Sequence, residues 1–144
     1  MILYLDTSAW LKLYIPESGS ETVTAAIAAA EVVAISPVGY AEACAGLARV
    51  LREKRTTITE HRRRLAALDG DYAALLKVEV TDIIVRQAGR LAQTHALRGF
   101  DAIHLASAAW LAKQVRSPVR LLAYDEGLNT AARALKLAIK QVTA

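Results

Sequence analysis

The sequence predicts an α/β fold, a three-layer arrangement in which a five-stranded, mainly parallel sheet is flanked by helices. Short apolar runs of strand length, Leu-rich or β-branched, recur along the chain, as expected for strands covered on both faces. Longer segments at helical period separate them, and that alternation belongs to β-α-β units. A length of 144 residues with 54% hydrophobic side chains fits one domain over residues 1–144 and excludes a disordered chain.

The first strand is Ile2–Leu5, an apolar run closed by Asp6. A short helix follows and ends at Pro16, and Glu21–Ala30 forms another. Val32–Ile35 is the second strand. Ser36-Pro37 reads as a cap with proline at the first helical position, opening a helix from Val38 to about Lys54. Thr59 opens the next, ending near Leu76, with Leu65, Leu68, Tyr72 and Leu76 as its core stripe and Asp69-Gly70-Asp71 as a break. Val78–Val80 is the third strand. Thr81 caps a helix from Asp82 to about Leu97, closed by Gly99, and Asp101–Gln114 is the next. Arg120–Ala123 and Leu137–Val142 complete the sheet. Trp10, Leu13, Tyr14 and Trp110 are read as core or interface.

The start, MILYLDTSAW, lacks a basic n-region, and Asp6 interrupts its apolar run, so no signal peptide is expected. No apolar stretch has the length of a membrane span. Cys44 is the single cysteine and cannot pair internally, which suits a reducing compartment, so the cytoplasm is the expected location. The net charge of +4 is uneven: residues 1–48 carry a net −4, whereas 49–64 hold seven Lys and Arg against two Glu. A concentrated basic segment points to a polyanionic partner or, on the plainer reading, to a solvated helix face.

Four acids stand in otherwise uncharged surroundings. Asp6 is the only charge in residues 1–11, Glu42 the only one from Val32 to Ala48, and Asp101 the only one between Arg98 and Lys113. Asp125 follows the fourth strand, with Glu126 beside it. A solitary carboxylate in an apolar segment is costly to bury without a cation or several hydrogen bonds. No basic residue nearby in sequence offers itself as the partner; a bound metal would serve all four. Asp6 and Asp125 follow strands, and ligands of open parallel sheets bind outside the strands' carboxyl ends. Hard oxygen ligands without His or Cys select Mg²⁺ or Mn²⁺. Each acid also has a plainer reading: Asp6 and Asp101 as helix caps, Asp125 and Glu126 as first-turn acids. Glu42 lies inside a helix, where capping does not account for it. His104, one turn after Asp101, is read as a structural hydrogen-bonder outside the site.

At these residues the chain resembles the PIN domain, and within it the VapC-type toxin ribonucleases of prokaryotic toxin–antitoxin pairs. The opening Ile-Leu-Tyr-Leu-Asp-Thr-Ser-Ala, the helical Glu42 after Ser-Pro, the run from Leu97 to Ala108 (Leu-Arg-Gly-Phe-Asp-Ala-Ile-His-Leu-Ala-Ser-Ala) and Ala123-Tyr-Asp-Glu-Gly-Leu carry the likeness. Tyr124 departs from the Phe or Thr often found near that point. The resemblance implies that Asp6 and Asp101 bind Mg²⁺ directly, that Glu42 and Asp125 complete the pocket, and that Ser8 supports it by hydrogen bonding. It implies five parallel strands with the first and fourth adjacent, RNA as substrate, a homodimer and a cognate antitoxin protein.

Crowded carboxylates raise one another's pKa, and a divalent cation reverses that. The cation would orient a phosphate and lower the pKa of an attacking water, with Glu42 assigned to align or deprotonate that water. Arg49 lies seven residues after Glu42, within ~20° of the same helical face. With Arg52, Arg55 and Arg62 it is read as a track for the RNA backbone, the alternative being an antitoxin-docking face. A haloacid-dehalogenase-type phosphatase is rejected because Ser8 stands where its second Asp would be. The remaining alternative is a non-catalytic or phosphoacceptor-type regulatory module, for which Asp6 lacks a paired acid, although Asp82 and Lys140 are in keeping with it.

Overall fold

Ile2–Leu5 is buried along its whole length and forms the central strand of the sheet. Its side chains alternate between faces, as a period of two requires. Ile2 and Tyr4 enter one core with Leu105, Leu121 and Leu128, while Leu3 and Leu5 enter the other with Trp10, Leu47, Leu68 and Leu122. One strand thereby anchors both helical layers.

The computed structural model describes residues 1–139. In order, the elements are β1 (Ile2–Leu5), α1 (Thr7–Leu11), α2 (Ser20–Ala29), β2 (Val32–Ile35), α3 (Val38–Arg52), α4 (Ile58–Ala74), β3 (Leu76–Lys77), α5 (Asp82–His95), α6 (Gly99–Gln114), β4 (Val119–Leu122), α7 (Glu126–Ala134) and β5 (Ala138–Ile139). The strands pair in parallel in the order β3-β2-β1-β4-β5. Its body is the three four-residue strands, with a two-residue ladder at either edge. Ile2 aligns with Val32 on one side and Val119 on the other, so β1 and β4 are neighbours. Helices α1 to α4 supply the core on one face, and α5 to α7 the core on the other.

Several elements depart from expectation. The third strand is Leu76–Lys77, not Val78–Val80; Val78 only adds one bond, its N–H donating to the Ile35 carbonyl at 2.9 Å. Leu76 therefore leaves the α4 core stripe and is exposed, whereas Leu68 is fully buried and Leu65 and Tyr72 pack partly against the core. The fourth strand begins one residue early, at Val119. Of the expected last strand, residues 140–142 lie outside the described residues. Ser36 does not cap α3: its hydroxyl is buried without a partner, and Pro37 takes the cap position in helical conformation. Thr57, not Thr59, caps α4, accepting from the Glu60 N–H at 3.1 Å. Gly99 opens α6, and α5 closes instead at Ala96 in the left-handed region (φ 53°). Helix α7, which the sequence marks only through its first-turn acids, runs from Glu126 to Ala134.

No break occurs at Asp69-Gly70-Asp71, where α4 runs through. The Tyr40 hydroxyl donates to Asp69 at 2.5 Å and the Tyr14 hydroxyl to Asp71 at 2.6 Å, tying this stretch to α3 and to the segment after α1. Gly70 is thus a glycine in a helix interior, and a Cβ there would meet nothing within 4 Å. Gly70→Ala should stabilise the fold by about 0.5–1 kcal/mol, seen as a raised urea midpoint at unchanged denaturant slope.

Candidate active site

The carboxyl end of β1 gathers the site. Asp6 caps α1, accepting from the Ala9 N–H at 3.0 Å, and its side chain is only 3% exposed. The Ser8 hydroxyl lies 2.7 and 2.9 Å from the two carboxylate oxygens and accepts from the Tyr124 N–H at 3.0 Å. The Asp6 N–H donates to the Leu122 carbonyl at 3.2 Å, so β1 and β4 are stitched together just where they end. Among the described residues Asp6 has no ion-pair partner. Burial pushes its carboxyl above the usual range. The Asp101 charge adds to that, while the Ser8 and Ala9 hydrogen bonds and His104 oppose it.

Thr7, the next residue, turns the other way. Its hydroxyl donates to Glu42 Oε1 at 2.8 Å, and the same oxygen meets His104 Nε2 at 2.7 Å. Thr7 Oγ1 is also 3.2 Å from His104 Nε2, and the Tyr4 hydroxyl is 3.0 Å from Nδ1. A carboxylate only accepts, so Nε2 carries the proton toward Glu42. Burial drives the Tyr4 hydroxyl far above its ordinary value, which keeps it a donor. For Glu42 burial works against the charge, but the His104 and Thr7 hydrogen bonds and the His104 and Arg98 charges outweigh it. They hold the carboxylate below the usual range.

Asp101 sits in the first turn of α6 and is not its cap, since the helix begins two residues earlier. Arg98 Nε lies 3.2 Å from its Oδ2, and the Arg98 side chain is 86% exposed. Glu42, Arg98, Gly99, Phe100 and Asp101 line one open cavity of about 430 Å³. Asp125 caps α7 by accepting from the Leu128 N–H at 2.7 Å, one residue after the Tyr124 amide that binds Ser8. Tyr124 itself donates to the Gly19 carbonyl at 3.2 Å and covers it so closely that a Cβ there would lie 2.7 Å from the ring hydroxyl.

Asp6 lies within reach of the Asp101 charge and, through the neighbouring Thr7, is joined to Glu42, while Ser8 in α1 links Asp6 to the Tyr124 amide, one residue before Asp125. One expectation needs correction: Asp101 does have a basic partner close in sequence, Arg98, one turn back on the same helix end. His104, fully buried, is a structural hydrogen-bonder as expected, and among its partners is Glu42, 62 positions away. The capping reading holds for Asp6 and fails for Asp101; of the two acids read as first-turn acids, Glu126 is one, whereas Asp125 is the cap of α7. The described residues contain no group of three or more His, Cys, Asp or Glu arranged to enclose an ion. Arg49, Arg52, Arg55 and Arg62 are all exposed, but Glu53 pairs with both Arg49 (2.9 Å) and Arg55 (2.8 Å).

The PIN domain model matches residues 3–134 of this chain. The ribonuclease VapC45 of Mycobacterium tuberculosis is 36% identical over 134 residues, spanning 92% of this chain and 90% of its own. Among solved structures, VapC20 of the same organism, described as a sarcin-ricin loop cleaving toxin, has a TM-score of 0.67 at 20% identity, covering 90% of this chain and 94% of that one. VapBC-5, described as a member of the VapBC family of toxin-antitoxin systems from the same organism, has a TM-score of 0.65 at 23% identity, covering 98% of each chain. Those two share the fold of this chain. By the matched model and the identity to VapC45 together, the chain belongs to the PIN-domain family, among the VapC ribonucleases.

Proposed function

We propose that the protein is a metal-dependent endoribonuclease, the toxin of a toxin–antitoxin pair, hydrolysing RNA phosphodiesters at the pocket of Asp6, Glu42, Asp101 and Asp125. The observation that carries this reading is Asp6: a carboxylate 3% exposed, with Asp101 adding to its repulsion and no ion-pair partner among the described residues. A burial of that kind is compensated by a cation. The donor set fits one, because hard carboxylate oxygens suit Mg²⁺ or Mn²⁺, which bind through few protein ligands and keep waters.

In this reading Asp6 and Asp101 would hold the ion, Glu42 and Asp125 would complete the negative pocket, and Ser8 orients Asp6. The chemistry a divalent ion would supply there is polarisation of the scissile phosphate and a lowered pKa for the attacking water. Thr7 and His104 keep Glu42 charged and aimed, so it can accept a proton from that water or align it. Arg52 and Arg62, exposed and without an ion-pair partner among the described residues, are the part of the basic segment that can receive phosphates. Arg49 and Arg55 share Glu53 and contribute less. The partners in this reading are RNA, a cognate antitoxin protein and a second copy of the chain, in the cytoplasm. No described helix is long and apolar enough to cross a membrane. A phosphoacceptor module would need an acid paired with Asp6, but its neighbour is Thr7, committed to Glu42.

Three measurements test the reading. EDTA should abolish cleavage of single-stranded RNA by the purified protein, and Mg²⁺ or Mn²⁺ should restore it; undiminished activity in chelator refutes the metal mechanism. Asp6→Asn keeps a capping side chain but loses the buried charge. Cleavage should fall by orders of magnitude while the metal-free melting temperature stays level or rises, and Mg²⁺ should raise that temperature for the parent protein only. In the Asp6→Asn background, Arg52→Ala and Arg62→Ala should each lower the salt slope of RNA binding by roughly 0.7, with Arg49→Ala changing it less. Unchanged slopes in all three would leave the segment as solvated surface or antitoxin-docking face.

A further inference from the structure

Phe100 is 54% exposed, the only phenylalanine in the chain, and it lies one residue before Asp101. Among the large exposed apolar side chains of the described residues, it is the one that lines the cavity shared by Glu42 and Asp101. What sets Phe100 apart is not its exposure but its place, an accessible aromatic face beside a charged pocket, where a flat ligand group can stack. The surroundings say which. A protein partner's core would seek a contiguous apolar patch, but the ring's companions in the cavity are Arg98, Gly99 and two carboxylates. A nucleotide matches all of them, with a base for the ring and a phosphate for the guanidinium. The cavity's volume of about 430 Å³ has room for one such unit. A Cβ at Gly99 would meet nothing within 4 Å apart from its chain neighbours, so the cavity is open at this turn.

We propose that Phe100 stacks on an unpaired base next to the scissile phosphodiester and that Arg98 holds that nucleotide's phosphate. Arg98 is free to do so because its contact with Asp101 is an exposed ion pair, a weak one that a bidentate phosphate contact replaces. Stacking on an aromatic side chain tolerates any base, and its loss weakens binding through one face of the ring rather than through charge. Phe100 is therefore a substrate-positioning residue that sets which phosphodiester reaches the acids. This assignment rests on the ribonuclease reading above.

The test uses the full chain carrying Asp6→Asn and a single-stranded octaribonucleotide of mixed A, C, G and U. Phe100→Ala and Phe100→Leu should weaken binding about 5- to 150-fold, the range for one lost base–aromatic stack, while Phe100→Trp retains it. Octamers with an abasic ribose scanned through each position supply the second arm. At one position the abasic RNA should bind Phe100→Ala and its parent equally. Arg98→Ala should lower the salt slope by roughly 0.7. Unchanged affinity in the Ala and Leu variants, or the same Phe100→Ala loss at every abasic position, overturns the proposal. A change in mass of Phe100→Ala by light scattering without RNA also overturns it, because the ring would then cover a second copy. Cleavage of the octamer by the unaltered protein is measured alongside. If it cleaves while Phe100 proves indifferent, only this assignment falls, and if it neither binds nor cleaves, both readings fall.

Discussion

Burying the Asp6 carboxylate at the end of the central strand is the constraint around which the rest is arranged. The charge is costly there, and each neighbour answers part of that cost: the Ala9 amide, the Ser8 hydroxyl and the start of α1. Ser8 also receives the Tyr124 amide, so the group that steadies Asp6 fastens β4 to β1 and sets where Asp125 begins α7. Local hydrogen bonds oppose the burial without overcoming it, and the carboxyl stays above its ordinary range. The arrangement is therefore tense in isolation, which is what the proposed cation would relieve. Glu42 is built the opposite way, with enough donors to hold its charge unaided. The two carboxylates thus differ in kind, Asp6 held above its ordinary range by burial and Glu42 held below it by its donors.

Much of this was legible in the chain. β1 and β2 match their expected bounds because each is an apolar run ended by a polar residue, Asp6 or Ser36. β3 was misplaced because Leu75 to Val80 offers no breaker between helix and strand. Pairing with Ala34 and Ile35 decides that position, and pairing is not local information. Asp6, Glu42 and Asp101 stood out as lone charges in apolar stretches. Arg98 had a usable signal, since a residue three positions before an acid at a helix start can reach it. His104 had a weaker one. Its spacing from Asp101 is visible, but its partners Tyr4, Thr7 and Glu42 arrive from three other elements, and only the fold brings them together.

The charge count of the basic segment also reads differently in three dimensions. Glu53 and Glu60 lie inside it and engage Arg49, Arg55 and Arg63 at 2.6–2.9 Å, while Arg64 is largely buried beside Glu60. Exposed pairs of this sort add little stability, but they fix where guanidinium groups point. The segment is less a uniform positive face than a few free cations among internally satisfied ones.

The edge of the sheet at β3 has a bearing on how partners recognise this molecule. Its ladder is two residues long and ends on Lys77, whose amine turns back to the Ala73 carbonyl at 3.2 Å and over the Tyr72 ring. An extended peptide seeking to lengthen the sheet there finds almost no free backbone to pair with, and a lysine stands guard. Strand addition, a common and sequence-tolerant mode of capture, is closed on that side. Whatever docks near β3 must read side chains on helices, where a change of a few residues alters the choice of partner. A cell holding many proteins of this fold can keep their complexes apart by that means, since the shared sheet offers no common handle at this edge.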